Sequence, residues 1–173
     1  MNDKRKNFQS TFENIKSCLL ELGFSGADEA IEKDSGKFLT GIQDEDFGMP
    51  IEITCKADIV NLKVSSNLLF NVPDIIPLYQ LLNEINFTMM DIGHFAINEV
   101  DNDVILQTSV DLSADDFDRE QMLTTIQRIS LQGLELFNLL KEMFESGQCP
   151  FYFLHDYIEE NRKNQLTNLE TIH

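Results

Sequence analysis

Between Val64 and Asp118 the sequence has no lysine or arginine, while Asp74, Glu84, Asp91, Glu99, Asp101, Asp103, Asp111, Asp115, Asp116 and Asp118 all fall in that stretch. The whole chain carries 30 acidic against 13 basic residues, for a formal net charge of −17. A surface of this sign repels phosphate backbones, so direct nucleic-acid binding is not expected, and the short basic cluster Lys4-Arg5-Lys6 does not reverse that. No apolar run approaches the roughly 18 residues of a membrane-crossing helix. The opening residues lead into an amphipathic segment rather than an apolar signal core, so a cytoplasmic chain without membrane insertion is expected. The three cysteines, Cys18, Cys55 and Cys149, are widely spaced and form no Cys-x-x-Cys pair, which argues against both a disulfide framework and a zinc site.

What is present is amphipathic periodicity. Phe8, Phe12, Ile15, Leu19 and Leu22 recur at spacings of 4, 3, 4 and 3, which predicts a helix over residues 7 to 22 ended by Gly23. Residues 24 to 36 are small and polar and read as a loop, followed by a short strand from Lys37 to Ile42. A hairpin turning at Ala57-Asp58 pairs Cys55 with Val60, Ile53 with Leu62 and Ile51 with Val64, which gathers the apolar residues on one face. The other face then pairs Thr54 with Asn61 and Glu52 with Lys63, the latter as an ion pair. Asp74 is placed to cap a second helix, from Ile75 to about Asn86. A long helix from Asp118 to Ser146 carries Met122, Ile126, Ile129, Gly133, Leu136, Leu140 and Met143 on its stripe, with Leu123, Leu134, Phe137 and Phe144 widening it. Phe151, Leu154 and Ile158 suggest a short docking helix beyond Gly147. One α+β domain over residues 1–147, followed by a docking segment and tail over 148–173, is the expected organisation.

The stretch from Asn83 to Ser109 holds the residues that most resemble a reactive site. A two-residue turn at Asp101-Asn102 pairs Glu99 with Val104, Ile97 with Leu106 and Phe95 with Thr108, and sends His94 to the less apolar face. Asp101, Asn102 and Asp103 then sit where turn chemistry already demands such residues, and their spacing does not match a calcium loop. His94 has no nucleophile positioned with it. Asp46-Phe47-Gly48 lacks every other kinase element, and Cys149, His155 and Asp156 are close only along the chain. No catalytic residue, cofactor or metal ligand is therefore expected.

The order helix, three strands, helix, two strands, long helix resembles the type III secretion chaperone-like fold, and within it the YbjN family, described as bacterial sensory-transduction regulators. The resemblance is carried by Leu81-Leu82-Asn83-Glu84-Ile85-Asn86, Gly93-His94-Phe95-Ala96-Ile97, the acidic turn before Val104-Ile105-Leu106, and the long helix after Asp118. It implies an antiparallel twisted sheet with helices mainly on one face, frequent homodimers, and no catalytic residues. The function expected is non-catalytic binding of another polypeptide, in a chaperone-like or regulatory role, through the sheet or the long helix; the alternatives are a small-molecule sensor module and, behind it, an enzyme of unrecognised type. The long helix's wide apolar surface, more than one thin sheet would cover, points to a homodimer formed through this helix or through a sheet edge. Glu99, Asp101 and Asp103 are the candidate contacts to a partner of basic character, with Leu134 and Phe137 as apolar anchors.

Overall fold

The computed structural model describes residues 2–32, 35–44, 47–56, 58–66, 75–98, 100, 103–112 and 117–146, together with residues 152, 155, 156 and 159. The chain runs α1 (Asn2–Glu21), β1 (Asp28–Ile31), β2 (Ser35–Asp44), β3 (Phe47–Lys56), β4 (Ile59–Ser65), α2 (Ile75–Thr88), β5 (His94–Asn98), β6 (Asp103–Asp111) and α3 (Arg119–Ser146). The strands form one antiparallel sheet in the order β1-β2-β3-β4-β6-β5. The fold is α+β, as expected, with one more strand before α2. The extra strand is β1, whose sequence Asp-Glu-Ala-Ile is exposed at every position and so carries no alternation that would mark it as a strand.

The β3–β4 hairpin has the expected register, with Ile51 opposite Val64, Ile53 opposite Leu62 and Cys55 opposite Val60. The β5–β6 hairpin differs by two residues: Phe95 faces Leu106 and Ile97 faces Val104, leaving residues 99–102 as a four-residue connection. A shift of two keeps every side chain on its expected face, because the pleat has period 2. The described residues at the far end of the hairpin fit this register. Gly93 sits at φ 75, and a Cβ there would lie 2.6 Å from the Gln107 carbonyl oxygen, so only glycine lets β5 begin this close to β6.

All three helices contact the sheet through one face. Phe8, Phe12, Ile15 and Leu19 of α1 are buried, and the Phe12 ring stacks on Phe38 with centroids 4.2 Å apart. Asp118 caps α3, its carboxylate accepting from the Gln121 N–H at 3.0 Å. Met122, Ile126, Ile129, Leu136, Phe137, Leu140 and Met143 of α3 join Ile51, Ile53, Val60, Leu62, Val64, Val104 and Leu106 in one core. Burying each such side chain stabilises by about 1.5 to 3 kcal/mol. Among the described residues that widen the stripe of the long helix, Phe137 is buried and Leu123 and Leu134 are partly buried against the protomer's own core, while Leu131 is 58% exposed. Residues 74, 147, 151, 154 and 158, on which the α2 cap, the α3 stop and the C-terminal docking helix depend, lie outside the described residues.

Candidate partner-binding surfaces

The described residues expected to meet a partner, Asp103, Leu134 and Phe137, do not form one exposed surface. Glu99 and Asp101 lie outside the described residues. Asp103 is buried at 8% exposure and accepts a hydrogen bond from the Ser66 hydroxyl, so it ties the turn end of the hairpin to the end of β4. Burial pushes its carboxyl above the ordinary carboxylate range, while hydrogen bonds from Ser66 and Ser65 and the charge of Lys63 act the other way. Phe137 is wholly buried with its ring edge-on to Phe95 at 5.5 Å, and Leu134 is partly buried against the same core. Asp103 and Phe137 are therefore structural, since neither reaches a partner without the domain opening. Widening of a helical stripe signals core as readily as interface, and here the sheet behind α3 absorbs it.

The two margins of the sheet are treated differently. On β5, Phe95 pairs with β6 on one side and offers its N–H and C=O to the other. The Asn86 side chain takes both: the Phe95 N–H donates to Asn86 Oδ1 at 2.6 Å, and Asn86 Nδ2 donates to the Phe95 carbonyl at 3.0 Å. A side-chain amide at the end of α2 thus closes the edge as another strand would. The Asn86 and Gly93-x-Phe95 residues that stood out in the sequence are the two parts of this clamp. On β1 only the inner side is paired, with β2, and the Lys16–Glu29 ion pair at 2.8 Å links it to α1.

The outer side of α2 is unusually apolar. Ile76 is 61% exposed, Tyr79 38% and Phe87 89%, and their spacing places them along one flank of the helix, opposite the buried Leu78, Leu82 and Ile85. A scattered exposed apolar residue is ordinary, but several aligned on one helix mark a contact surface.

The sheet face turned away from the helices is polar and concave. A hollow of about 520 Å³ is lined by Glu52, Thr54, Asn61, Lys63, His94, Gln107 and Ser109, with Gly93 at its rim. Cross-strand hydrogen bonds organise its floor: Ser109 donates to Asn61 Oδ1 at 2.8 Å, and Gln107 Nε2 lies 2.9 Å from His94 Nε2. Glu52 pairs with Lys37 on β2 at 2.6 Å rather than with Lys63 as expected, because β2 runs beside β3 on its other side. Among the described residues no group of three or more His, Cys, Asp or Glu side chains is arranged to hold a metal ion. His155 and Asp156 are exposed, and Cys149 lies outside the described residues.

The family model CesT_Tir_1 matches residues 8–145. The chain belongs to this type III secretion chaperone-like family. The match begins at Phe8, the first described buried residue of α1, and ends within the last turn of α3, so it takes in all six strands and all three helices. The YbjN family, whose likeness the sequence carries, is related to this chaperone-like fold. No curated protein matches the chain. No helix among the described residues is long and apolar enough to cross a membrane.

Proposed function

We propose that the protein is a non-catalytic, chaperone-like binding protein that acts as a homodimer in the cytoplasm and holds a segment of another polypeptide. Membership of the chaperone-like family supports the binding role. The reading of the assembly rests on the flank of α2, where Ile76, Tyr79 and Phe87 are exposed while Leu78, Leu82 and Ile85 on the opposite side of the helix are buried. This flank replaces α3 as the dimer surface, since α3 spends its stripe on its own protomer. The domain of residues 1–147 provides both surfaces, and residues 148–173 serve as an appended docking segment.

Light scattering on the full chain should report a dimer at tens of micromolar, and Ile76→Glu with Phe87→Glu should shift it to monomer while leaving the circular dichroism of the fold intact. A monomeric wild type sinks the assembly. For the binding role, a polypeptide should co-purify stoichiometrically with the tagged protein and be released by unfolding it. The hollow on the open face keeps the sensor reading in view: a ligand-dependent rise in melting temperature without any bound polypeptide would favour that reading instead.

A further inference from the structure

The outward stripe of α2 differs from that of α3 in what it lacks. Along it stand Ile76, Tyr79, Gln80, Asn83, Glu84 and Phe87, all exposed, with Leu78, Leu81, Leu82 and Ile85 buried behind them. Glu84 is the one charged residue in the whole helix. The outward side of α3 carries Arg119, Glu120, Arg128, Glu135 and Glu142, as a solvated helix surface does. The α2 stripe also reads alike in both directions. Ile76 and Phe87, Tyr79 and Glu84, and Gln80 and Asn83 stand at equal distances on either side of the point between Leu81 and Leu82. The pairs so formed are apolar with apolar, phenol with carboxylate, and amide with amide.

We infer that this stripe is covered by α2 of a second copy, running antiparallel across a two-fold axis that passes between Leu81 and Leu82. Ile76 then packs on the partner's Phe87, Tyr79 lies against the partner's Glu84, and Gln80 meets the partner's Asn83. This rests on the dimer reading and names the direction and register of the helix pair. A two-fold interface has to be self-complementary, and the antiparallel register meets that condition without setting like charge on like. A parallel pair would set Glu84 against the partner's Glu84 and align the two macrodipoles, both unfavourable. In the antiparallel pair the dipoles oppose, and each Glu84 carboxylate lies toward the positive N-terminal half of the other helix. A foreign helix finds a single charge here to pair with, whereas a second copy matches all six positions. Ile76 and Phe87 are about 16 Å apart along the axis, so the two apolar contacts hold the ends of the interface, and a shallow crossing of about 20° keeps both within side-chain reach.

The test is sedimentation equilibrium on the full chain carrying charges at the two apolar ends. The wild type should be a dimer. Ile76→Lys alone and Phe87→Glu alone should each raise the dissociation constant about a hundredfold, since each spoils two apolar contacts per dimer. Combined in one chain, they should associate at least about tenfold more tightly than either alone, because each new lysine meets a new glutamate, and this recovery should shrink as salt is added. Both positions are exposed in the protomer, so the circular dichroism of every variant should match the wild type. A second readout does not depend on charge: Ile76→Cys chains mixed with Phe87→Cys chains, each also carrying Cys149→Ser, should form a disulfide-linked dimer. Ile76→Cys chains by themselves should not, because their thiols would stand about 16 Å apart. A combined variant no tighter than the single ones, or Ile76→Cys chains that cross-link to each other as readily as to Phe87→Cys chains, overturns the antiparallel register and leaves the α2 dimer standing. A monomeric wild type, or single variants that dimerise as the wild type does, overturns both.

Discussion

On the helix side of the sheet, Ile53 and Leu62 stand opposite each other with no exposure, packed into the core; one residue further along each strand, Thr54 and Asn61 stand opposite each other on the other side, half exposed over a hollow. The same four backbone positions thus serve two surfaces. On the covered side identity is dictated by volume and water exclusion, because a core at crystal-like density registers the loss of a single methylene. On the open side the backbone is already paired within the sheet, so side chains are free to be chosen for what they bind. Stability resides in the covered face, and substitutions on the open face should leave it nearly unchanged.

The largest effect should come from the covered side. Phe137→Ala, which empties a site at 0% exposure beside Phe95, should cost about 3 to 5 kcal/mol in urea unfolding, and Ile53→Ala about 2 to 4. A loss under about 1 kcal/mol at both would break the division of labour.

Next is the clamp at the sheet margin. Asn86→Leu strands the Phe95 N–H and C=O, a loss of roughly 1 to 3 kcal/mol. Asn86→Asp is more diagnostic: a carboxylate still accepts from the Phe95 N–H but opposes its carbonyl, so it should remain well below wild type at neutral pH and recover on acidification. Equal stability of wild type and Asn86→Asp at neutral pH would show that the edge is closed by something else.

Asp103 tests the boundary between the faces through pH. Its folded-state carboxyl is raised above the ordinary value of 3.8, first by burial. The folded protein therefore holds this proton more tightly than the unfolded chain does. The group's favourable contribution is fully present below the unfolded value and is lost as pH rises through the raised one. Asp103→Asn removes that dependence, so the variant's stability relative to wild type should climb as pH rises from 3.8 through the raised folded-state value. A relative stability that stays level or falls over that interval would contradict the burial of this acid.

The smallest effect belongs to the open face. Thr54→Ala should change unfolding free energy by no more than about 0.5 kcal/mol, and a larger loss would mean that the open face contributes to folding after all.

The periodic elements were legible in the sequence: α1 and α3 from their 3-4 spacing, and the β3–β4 register from Ile51, Ile53, Cys55, Val60, Leu62 and Val64, where any one-residue slip would bury Glu52 and Lys63. The clamp was half legible. Asn86, Gly93 and Phe95 stood out as a pattern, yet nothing local shows that Asn86 meets Phe95, since that contact joins a helix end to a strand edge. The β5–β6 register differs by two residues from the one that turn chemistry at Asp101-Asn102 suggests, and the close approach of Gly93 to Gln107 at the opposite end, which fits the observed pairing, joins residues that are distant in sequence.

Alternation and helical spacing by themselves determined the α+β class, which residues face inward on most elements, and the absence of a recognisable reactive motif. These are properties of a single element, set by backbone geometry with period 2 or 3.6. Only the tertiary structure decided that β1 is a strand, that Glu52 pairs with Lys37, and that Phe137 and Asp103 are enclosed. Each of those depends on which element lies beside which, and burial and pairing between distant segments are settled by that packing alone.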